Sequence, residues 1–328
     1  MDKRFERLQL WLPEVAGIAD CDITPASADA SFRRYFRIRF DGQSRIVMDA
    51  PPAQEDCHPF VQISALLSDI GLHVPEVLVE DLEQGFLLLT DLGERMYLDE
   101  LNGRSVGALY GDAMQALLRL QAYGPAPLPA YDQDLLWREM ELFREWYLGR
   151  HLGLALTPDQ QAIIDQVFHF LSESALQQPR VIVHRDYHSR NLMVSDPNPG
   201  ILDFQDAVMG PVSYDLVSLL RDCYIAWPQQ QVQHWLQDYH RQLLDRQIID
   251  GVSLAEFQRW FDLMGIQRHL KASGIFARLN YRDGKPGYLA DIPRTLAYVL
   301  DVGQGYPELQ DFIRLLGEYE VMFASRSL

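Results

Sequence analysis

The spacing of apolar residues along the first 91 positions predicts a small region of strands and helices. A segment of helical spacing opens the chain, and a second one covers residues 59–70 and ends at Gly71. Patterns typical of strands occur in four segments: 32–40, 45–49, 77–80 and 85–90. Residues 86–89 are wholly apolar, which indicates a strand covered on both faces. We therefore expect residues 1–91 to form one small lobe.

From residue 92 onward the apolar spacing becomes mainly helical. Seven segments follow this pattern: 105–122, 134–151, 158–177, 214–225, 228–246, 254–281 and 306–323. Three short apolar runs predict strands at 181–183, 192–194 and 201–202, with a proline-rich turn at 196–200. The sequence thus predicts an α+β, bilobal fold with a small, mainly β N-terminal lobe (1–91) and a larger, mainly α C-terminal lobe (92–328).

The composition is that of an ordinary globular protein, since 48% of the 328 residues are hydrophobic and 23% are charged. The net charge of −17 argues against nucleic acid as a partner, because its phosphates need a basic surface. We expect no membrane span, and the first residues have an amphipathic helical pattern rather than that of a signal peptide. Three widely separated cysteines do not suggest a disulfide framework, so we expect a cytoplasmic protein.

The loop at 184–191 and the turn at 203–206 carry the side chains that predict chemistry. Phosphoryl transfer demands mainly positioning and neutralisation of charge. Asp186 is suited to accept the proton of an attacking hydroxyl. Asn191, five residues later, and Asp203 are suited to hold Mg²⁺ against the phosphates of ATP. Because short strands flank all three, we expect them to converge on one cleft of a kinase.

Several positions distinguish this pattern from that of a protein kinase. His188 stands in the loop where a basic Lys or Arg is common, Gln205 replaces the glycine of an Asp-Phe-Gly turn, and no Ala-Pro-Glu element follows. Instead, the His-x-Asp-x-His-x-x-Asn loop, the Asp-Phe turn and the segment 210–217 resemble the aminoglycoside phosphotransferase family, relatives of the choline kinases. The resemblance implies a protein-kinase-like fold, and Asp215 falls on the acidic position of its last motif. His184 and Asp215 are therefore expected to support the loop.

The resemblance extends over nearly the whole chain and favours one branch of that family. Residues 27–37, 47–52, 268–271 and 274–279 are similar to the cell-wall-recycling sugar kinases, which phosphorylate the anomeric hydroxyl of N-acetylmuramate and N-acetylglucosamine. The implied function is ATP- and Mg²⁺-dependent phosphorylation of a free amino sugar at C1. The expected partners are the sugar and ATP. The preferred sugar, the choice between ATP and GTP, and the oligomeric state stay open.

The resemblance also implies where a nucleotide binds. Kinases of this type have a loop of small residues between the first two strands, and residues 27–31 match it, with Ser31 as a phosphate contact. Their hinge between lobes binds the base through its backbone, and Thr90 and Asp91 match that hinge.

The basic residue expected on the third strand, which normally pairs with an acid on the next helix, is replaced by Asp49. No glutamate stands inside the segment 59–70 either. Alternation along the preceding strand puts Arg34 on the inward side, so Arg34 is the first candidate for the missing phosphate contact and Arg33 the second. A solvent-facing position is expected for Arg37 and Arg39.

On the acceptor side, Glu139, Trp146 and Tyr147 are suited to bind a sugar, because aromatic faces stack on sugars and carboxylates accept hydrogen bonds from hydroxyls. The alternative for Trp146, as for the leucines of the same segment, is a place in the core. Arg268, with Lys271 nearby on the same segment, is a candidate partner for a lactyl carboxylate. The alternative for both is a solvated helix face.

Two other functions stay open at the level of sequence. A phosphotransferase for a cationic acceptor, such as an aminoglycoside or choline, would show acidic side chains around the acceptor pocket, whereas a basic residue there would favour a carboxylated sugar. The second hypothesis, a nucleotide-binding pseudokinase, is supported only by Asp49. The joint presence of Asp186, Asn191 and Asp203 argues against it.

Overall fold

The computed structural model of the chain describes residues 2–28 and 32–326. The chain divides into two compact units. The first comprises Met1–Arg119 and Arg190–Asp206, and the second comprises Leu120–Ser189 and Ala207–Leu328. The first unit therefore includes a short segment that lies, in sequence, between two parts of the second. These units do not end at residue 91, so the lobe boundary predicted there stays a prediction.

An antiparallel sheet of five strands is the framework of the first unit. The strands are β1 (Asp22–Ala28), β2 (Arg34–Phe40), β3 (Gln43–Asp49), β4 (Val77–Asp81) and β5 (Phe86–Thr90). Their order across the sheet is β1-β2-β3-β5-β4. Asp41 and Gly42 form the two-residue turn between β2 and β3, and both have a positive φ, 47° and 71°. This tight turn fixes the register of β2 against β3 and places Arg34 opposite Asp49.

Helices and a short ladder complete the first unit. Helix α1 (Lys3–Glu14) contributes three buried side chains to a core shared with the sheet: Leu8, Trp11 and Leu12. The other helices are α2 (His58–Asp69), α3 (Tyr97–Glu100) and α4 (Val106–Ala122), which continues into the second unit. Two short ladders occur later: β6 (Arg180–Val183) pairs with β9 (Val208–Pro211) in the second unit, and β7 (Leu192–Met193) pairs with β8 (Gly200–Ile201) in the first.

The second unit is mainly helical. Helix α5 (Gln133–Leu142) continues as a π-helix over Phe143–His151. The other helices are α6 (Pro158–Leu176), α7 (Tyr214–Leu220), α8 (Gln229–Asp245), α9 (Leu254–Tyr281), α10 (Ile292–Gly303) and α11 (Gln310–Arg326), with 3₁₀ turns at Pro286–Asp291 and Pro307–Leu309. Helix α9 approaches α5 so closely that a Cβ at Gly274 would collide with the backbone of Leu142 and Phe143.

The predicted α+β class is confirmed, and the long periodic segments form helices where they were expected, as in α6, α8 and α9. Among the described elements, β1, β9, α3, α10 and the 3₁₀ turn at Pro286–Asp291 were not predicted. Strand β1 contains a proline and several small polar residues, and its register against β2 shifts between Pro25 and Ser27. Among the described residues, no helix is both long and apolar enough to span a bilayer.

Candidate active site

The loop that carries Asp186 follows β6 in the second unit and is held by Asp215, at the start of α7. Asp215 accepts hydrogen bonds from the backbone N–H of His184 at 2.6 Å and from that of Arg185 at 3.0 Å. Arg185 has a φ of 76°, so the chain turns sharply just before Asp186. The buried carboxylate of Asp215 thus satisfies two backbone donors of this turn, which is the contact that its expected structural role requires.

The surroundings of Asp186 are basic. Burial would raise the pKa of this carboxyl, but nearby positive charges outweigh burial and lower the pKa to about 2. The charges belong to four side chains, in decreasing order of effect: Lys271, His188, Arg185 and Arg268. Asp186 is therefore a carboxylate throughout the neutral range, and an anionic group on an acceptor would be attracted to its surroundings.

Asn191 and Asp203 lie beside each other in the first unit. Asn191 flanks β7, and its carbonyl accepts a hydrogen bond from Leu202 N at 2.9 Å. Asn191 Nδ2 lies 3.2 Å from Asp203 Oδ2, and Gln205 Nε2 donates to Asp203 Oδ1 at 2.7 Å. The described residues contain no cluster of three or more acidic, His or Cys side chains suited to hold a metal. One carboxylate and neighbouring amides fit Mg²⁺, which usually takes one or two carboxylates and completes its shell with water and phosphate oxygens.

The structure places the three motif residues in different units: Asp186 in the second, and Asn191 and Asp203 in the first. The pairing of Asn191 with Asp203 follows from the hairpin formed by β7 and β8. Their expected convergence with Asp186 on one cleft stays a prediction.

Asp49, which stands where a basic residue is expected, is fully buried and bound by two arginines. Arg34 Nε donates to Asp49 Oδ2 at 3.0 Å, and Arg4 Nε, from α1, donates to Oδ1 at 2.9 Å. Arg34 also pairs with Asp2, just before α1. The guanidinium of Arg34 therefore connects α1 to the sheet. These contacts give no support to a nucleotide contact by Arg34, which stays a prediction.

Arg33, the second candidate, forms a different pair. Its Nε donates to Glu55 Oε2 at 3.2 Å, and only 11% of the Arg33 side chain is exposed. Burial would lower the pKa of Arg33, but Tyr35, Glu55 and Asp203 raise it. Arg33 is thus close enough to Asp203 for their charges to interact. Alternation along β2 could not reveal this, because Arg33 precedes the first residue of that strand.

Glu55, the acid that pairs with Arg33, is a residue that the sequence did not suggest. It lies three residues before α2 begins at His58, so a search for an acid inside that helix misses it. Its Oε1 accepts a hydrogen bond from Phe32 N at 3.1 Å, while Oε2 binds Arg33. A cation–acid pair is therefore present in the first unit, but both members stand outside the regular elements.

Thr90 and Asp91, the residues expected at the hinge, form hydrogen bonds and an ion pair within the first unit. Thr90 Oγ1 accepts a hydrogen bond from Glu76 N at 2.9 Å. Asp91 binds Arg37 through two contacts of 2.7 and 3.0 Å. The solvent-facing position expected for Arg37 is wrong, because this ion pair leaves only 12% of its side chain exposed. Ser31 lies outside the described residues, and a base contact through the hinge backbone stays a prediction.

Among the acceptor-side candidates, Glu139 is a buried acid that neutralises two cations. It forms ion pairs with Arg185 and with Lys271, whose Nζ lies 3.0 Å from Glu139 Oε1. Tyr147 is buried in the apolar core of the second unit, and Trp146 packs against the same core. The core alternative stated for Trp146 therefore describes its position, and Tyr147 lies in the core as well. The contact of either residue with a sugar stays a prediction.

Arg268 and Lys271 are buried on α9, with exposed fractions of 5% and 6%. The solvated helix face considered for them is therefore wrong. Both side chains act on Asp186, as described above, and Lys271 Nζ also donates to the hydroxyl of Tyr214 at 3.0 Å. Helix α9 thus supplies two of the cations around the acceptor-side aspartate.

A model of the phosphotransferase enzyme family matches residues 22–254. The chain belongs to this family. It is 49% identical to the N-acetylmuramate/N-acetylglucosamine kinase of Pseudomonas putida, with 97% of each chain covered. It is 43% identical to the protein of the same name from Neisseria meningitidis, with 96% of each chain covered. This phosphotransferase is a small-molecule kinase, as the loop and turn motifs predicted.

Solved structures of distant relatives share the fold. A choline kinase from Streptococcus pneumoniae aligns with a TM-score of 0.63 at 13% identity, covering 90% of this chain and 99% of that one. An ADP-bound aminoglycoside phosphotransferase aligns with a TM-score of 0.58 at 15% identity, covering 90% and 97%. The resemblance to aminoglycoside phosphotransferases and choline kinases, and with it the protein-kinase-like fold, is confirmed.

The pseudokinase alternative loses its support in this phosphotransferase. It rested on Asp49, an acid at a position expected to be basic. That acid is buried and paired with Arg4 and Arg34, so its presence does not mean that the phosphates of a nucleotide are repelled.

Proposed function

We propose that this kinase transfers the γ-phosphoryl group of ATP, with Mg²⁺, to the anomeric (C1) hydroxyl of N-acetylmuramate or N-acetylglucosamine. The observation that carries the proposal is the basic environment that lowers the pKa of Asp186 to about 2. An acceptor with a carboxylate, as N-acetylmuramate has, suits such an environment. The relatives that are 43% and 49% identical are named kinases of these two sugars, which supports the same substrate class.

In the proposed reaction, Asp186 orients the C1 hydroxyl and takes up its proton. A bond forms between the C1 oxygen and the γ-phosphorus, while the bond from that phosphorus to the bridging oxygen breaks and ADP leaves with the electron pair. A carboxylate with a pKa of about 2 is a weak base, so we expect the proton to move late, once the new bond has made it acidic. An anomeric hydroxyl suits a weak base because it is more acidic than the other hydroxyls of a sugar.

On the nucleotide side, Asp203 and Asn191 would hold Mg²⁺, which neutralises phosphate charge when it is bound. Arg33 is the cation that we assign to the phosphates in place of a strand lysine. Glu55 would orient its guanidinium through the 3.2 Å contact to Nε. Arg33 suits this role because its planar group engages phosphate oxygens in pairs and keeps its charge.

A cationic acceptor fits the second unit less well. The buried acid there, Glu139, is already neutralised by Arg185 and Lys271. The net charge of −17 belongs to the whole chain and does not describe the surroundings of Asp186, which are positive. An aminoglycoside or choline would therefore meet repulsion close to the reacting hydroxyl.

The test is a direct assay of the purified protein with ATP, Mg²⁺ and a panel of free sugars and aminoglycosides. Phosphorus NMR of the product reads which oxygen carries the phosphate. The proposal expects a phosphate at C1 of one or both amino sugars and none on the aminoglycosides. Phosphorylation at another hydroxyl, or of an aminoglycoside alone, would overturn it.

A further inference from the structure

Helix α9 buries polar side chains at four of five consecutive positions: Gln267, Arg268, His269 and Lys271. Three of them have polar partners that suit their chemistry. Lys271 pairs with the carboxylate of Glu139 at 3.0 Å. The ring of His269 binds the backbone carbonyl of Arg221 at 2.8 Å, and the amide of Gln267 contacts Glu139 at 3.4 Å.

Arg268 differs from these three neighbours. Its Nη1 donates to the neutral sulfur of Cys223 at 3.4 Å, and within the described residues it forms no ion pair with a carboxylate. Only 5% of the residue is exposed. A guanidinium does not lose its proton in a protein, and a buried charge without an opposite charge in contact is costly. Arg268 is therefore a buried cation that lacks a directly bound anion.

The buried acid of the same region is already engaged. Asp222 acts on Arg268 electrostatically, as Asp186 does. The two oxygens of Asp222 accept hydrogen bonds from Ser189 N at 2.9 Å and from Tyr224 N at 2.8 Å. Asp222 is therefore held by backbone groups, and the five N–H donors of the Arg268 guanidinium exceed its one contact to Cys223, which suits it to bind an anion on a bound molecule.

The contacts of α9 place that anion on the acceptor side. Lys271, one helical turn from Arg268, pairs with Glu139, which also pairs with Arg185, the residue directly before Asp186. Arg268 lowers the pKa of Asp186, and Asp186 in turn acts on Arg268. Of the two proposed acceptors, N-acetylglucosamine is uncharged, whereas the lactyl ether on C3 of N-acetylmuramate ends in a carboxylate. The phosphoryl group being transferred is the second anion expected near the reacting hydroxyl. In the proposed function, however, Mg²⁺ and Arg33 neutralise its charge.

We propose that Arg268 binds the lactyl carboxylate of N-acetylmuramate and so determines the preference between the charged and the neutral sugar. This inference rests on the proposed function. Arginine suits the task because its planar fork can donate two parallel hydrogen bonds to one carboxylate. Lys271 is the natural comparison, since it lies one helical turn away and its charge is already balanced by Glu139.

The experiment compares kcat/KM for N-acetylmuramate and N-acetylglucosamine in the wild type and in Arg268→Met, Arg268→Lys and Lys271→Met. In Arg268→Met the kcat/KM for N-acetylmuramate, divided by that for N-acetylglucosamine, should fall roughly ten- to a hundredfold, because one charge-assisted pair is lost. Arg268→Lys should show a smaller fall, because the charge remains while the fork is lost. In Lys271→Met both values should decrease in similar proportion, leaving the ratio near that of the wild type.

A second measurement does not depend on any variant. The methyl ester of N-acetylmuramate removes the negative charge but keeps the lactyl group. The wild type should use the ester roughly ten- to a hundredfold less well than the acid. Equal use of the ester and the acid by the wild type would overturn the assignment, as would an unchanged sugar ratio in a folded Arg268→Met.

The two proposals fail in different ways. If the wild type phosphorylates both sugars and Arg268→Met slows both equally, Arg268 serves the phosphoryl group or the structure, and the inference is wrong while the proposed function stands. If the wild type phosphorylates neither sugar, the proposed function is wrong, and the inference that rests on it is wrong as well.

Discussion

Arg34 stands directly opposite Asp49 in the pairing of β2 with β3, and its Nε donates to the buried Asp49 carboxylate at 3.0 Å. Arg4 binds the other oxygen of the same carboxylate at 2.9 Å. The negative charge of Asp49, which would repel a nucleotide, is thereby neutralised within the first unit. The same carboxylate attaches α1 to the sheet through Arg4. Asp49, at the position where a basic residue was expected, therefore forms contacts that hold the first unit together.

The first prediction concerns this cluster. Asp49→Ala should lower the free energy of unfolding by about 2–4 kcal/mol, because it leaves two guanidinium groups without their acid, although both are partly exposed to solvent. Arg34→Ala should cost less, since Arg4 still binds Asp49. Urea denaturation of the three proteins measures both effects. Wild-type stability of Asp49→Ala together with a raised KM for ATP would mean that the acid acts at the nucleotide instead.

The second prediction separates the two arginines. Arg33→Ala should raise the KM for ATP and lower kcat, with a combined loss of roughly ten- to a hundredfold, because a charge-assisted phosphate contact is removed. Glu55→Gln should act in the same direction but more weakly, since the guanidinium remains and only its orientation is loosened. Steady-state kinetics over an ATP titration at saturating Mg²⁺ measures this.

Arg34→Ala is the matched control for that experiment, because it removes the same group one residue away. It should lower thermal stability without raising the KM for ATP. The reverse result, a normal KM for Arg33→Ala and a raised one for Arg34→Ala, would restore Arg34 as the phosphate contact.

The third prediction concerns the metal. Asp203→Ala should lower turnover by at least about a hundredfold and weaken Mg²⁺-dependent nucleotide binding, because the negative ligand is lost. Asn191→Ala should act in the same direction but less severely, since an amide carries no charge. Mg²⁺ titrations of turnover and of nucleotide binding test both variants. An unchanged Mg²⁺ dependence in Asp203→Ala would point to another ligand, with Asp206 the first to examine.

The pairing of Asn191 with Asp203 could be expected because the residues of this motif lie close together in sequence. Asp186, Asn191 and Asp203 stand at fixed spacings, and the apolar runs around them indicate short strands. The contact between Asn191 and Asp203 follows from that spacing once β7 and β8 pair. Asp215 could be singled out in the sequence for the same reason, since it lies in the first turn of the helix that follows the turn at 203–206.

The remaining contacts depend on long-range packing that the spacing of residues does not encode. Arg33 and Glu55 meet although 22 residues separate them, and each lies outside a regular element, where alternation has no meaning. Tyr147 follows the helical pattern, but that pattern cannot tell a core face from a pocket face. A solvated helix face stayed open as the alternative for Arg268 because buried cations are rare, and only the packing of α9 reveals its burial.

The fourth prediction concerns the support of the catalytic loop. Asp215→Ala leaves the backbone N–H groups of His184 and Arg185 without their acceptor, which should lower the free energy of unfolding by about 2–4 kcal/mol. Turnover should fall together with stability, because Asp186 is the next residue after Arg185 and its position depends on this turn. Thermal melts and kinetics on the same samples measure both. A variant that keeps its melting temperature and loses only metal affinity would contradict a structural role for Asp215.

The last prediction concerns pH. Because positive charges hold the pKa of Asp186 at about 2, kcat/KM should show no acid limb from this group near the ordinary carboxyl value of about 4. Lys271 is the strongest of these charges, so Lys271→Met makes ionisation of Asp186 less favourable and raises its pKa. Activity of that variant should therefore fall at a higher pH than activity of the wild type. Lys3→Met, which removes an exposed charge of the first unit, is the control and should leave the pH profile unchanged. A shift to lower pH in Lys271→Met, or no shift at all, would show that Lys271 does not hold Asp186 in its charged form.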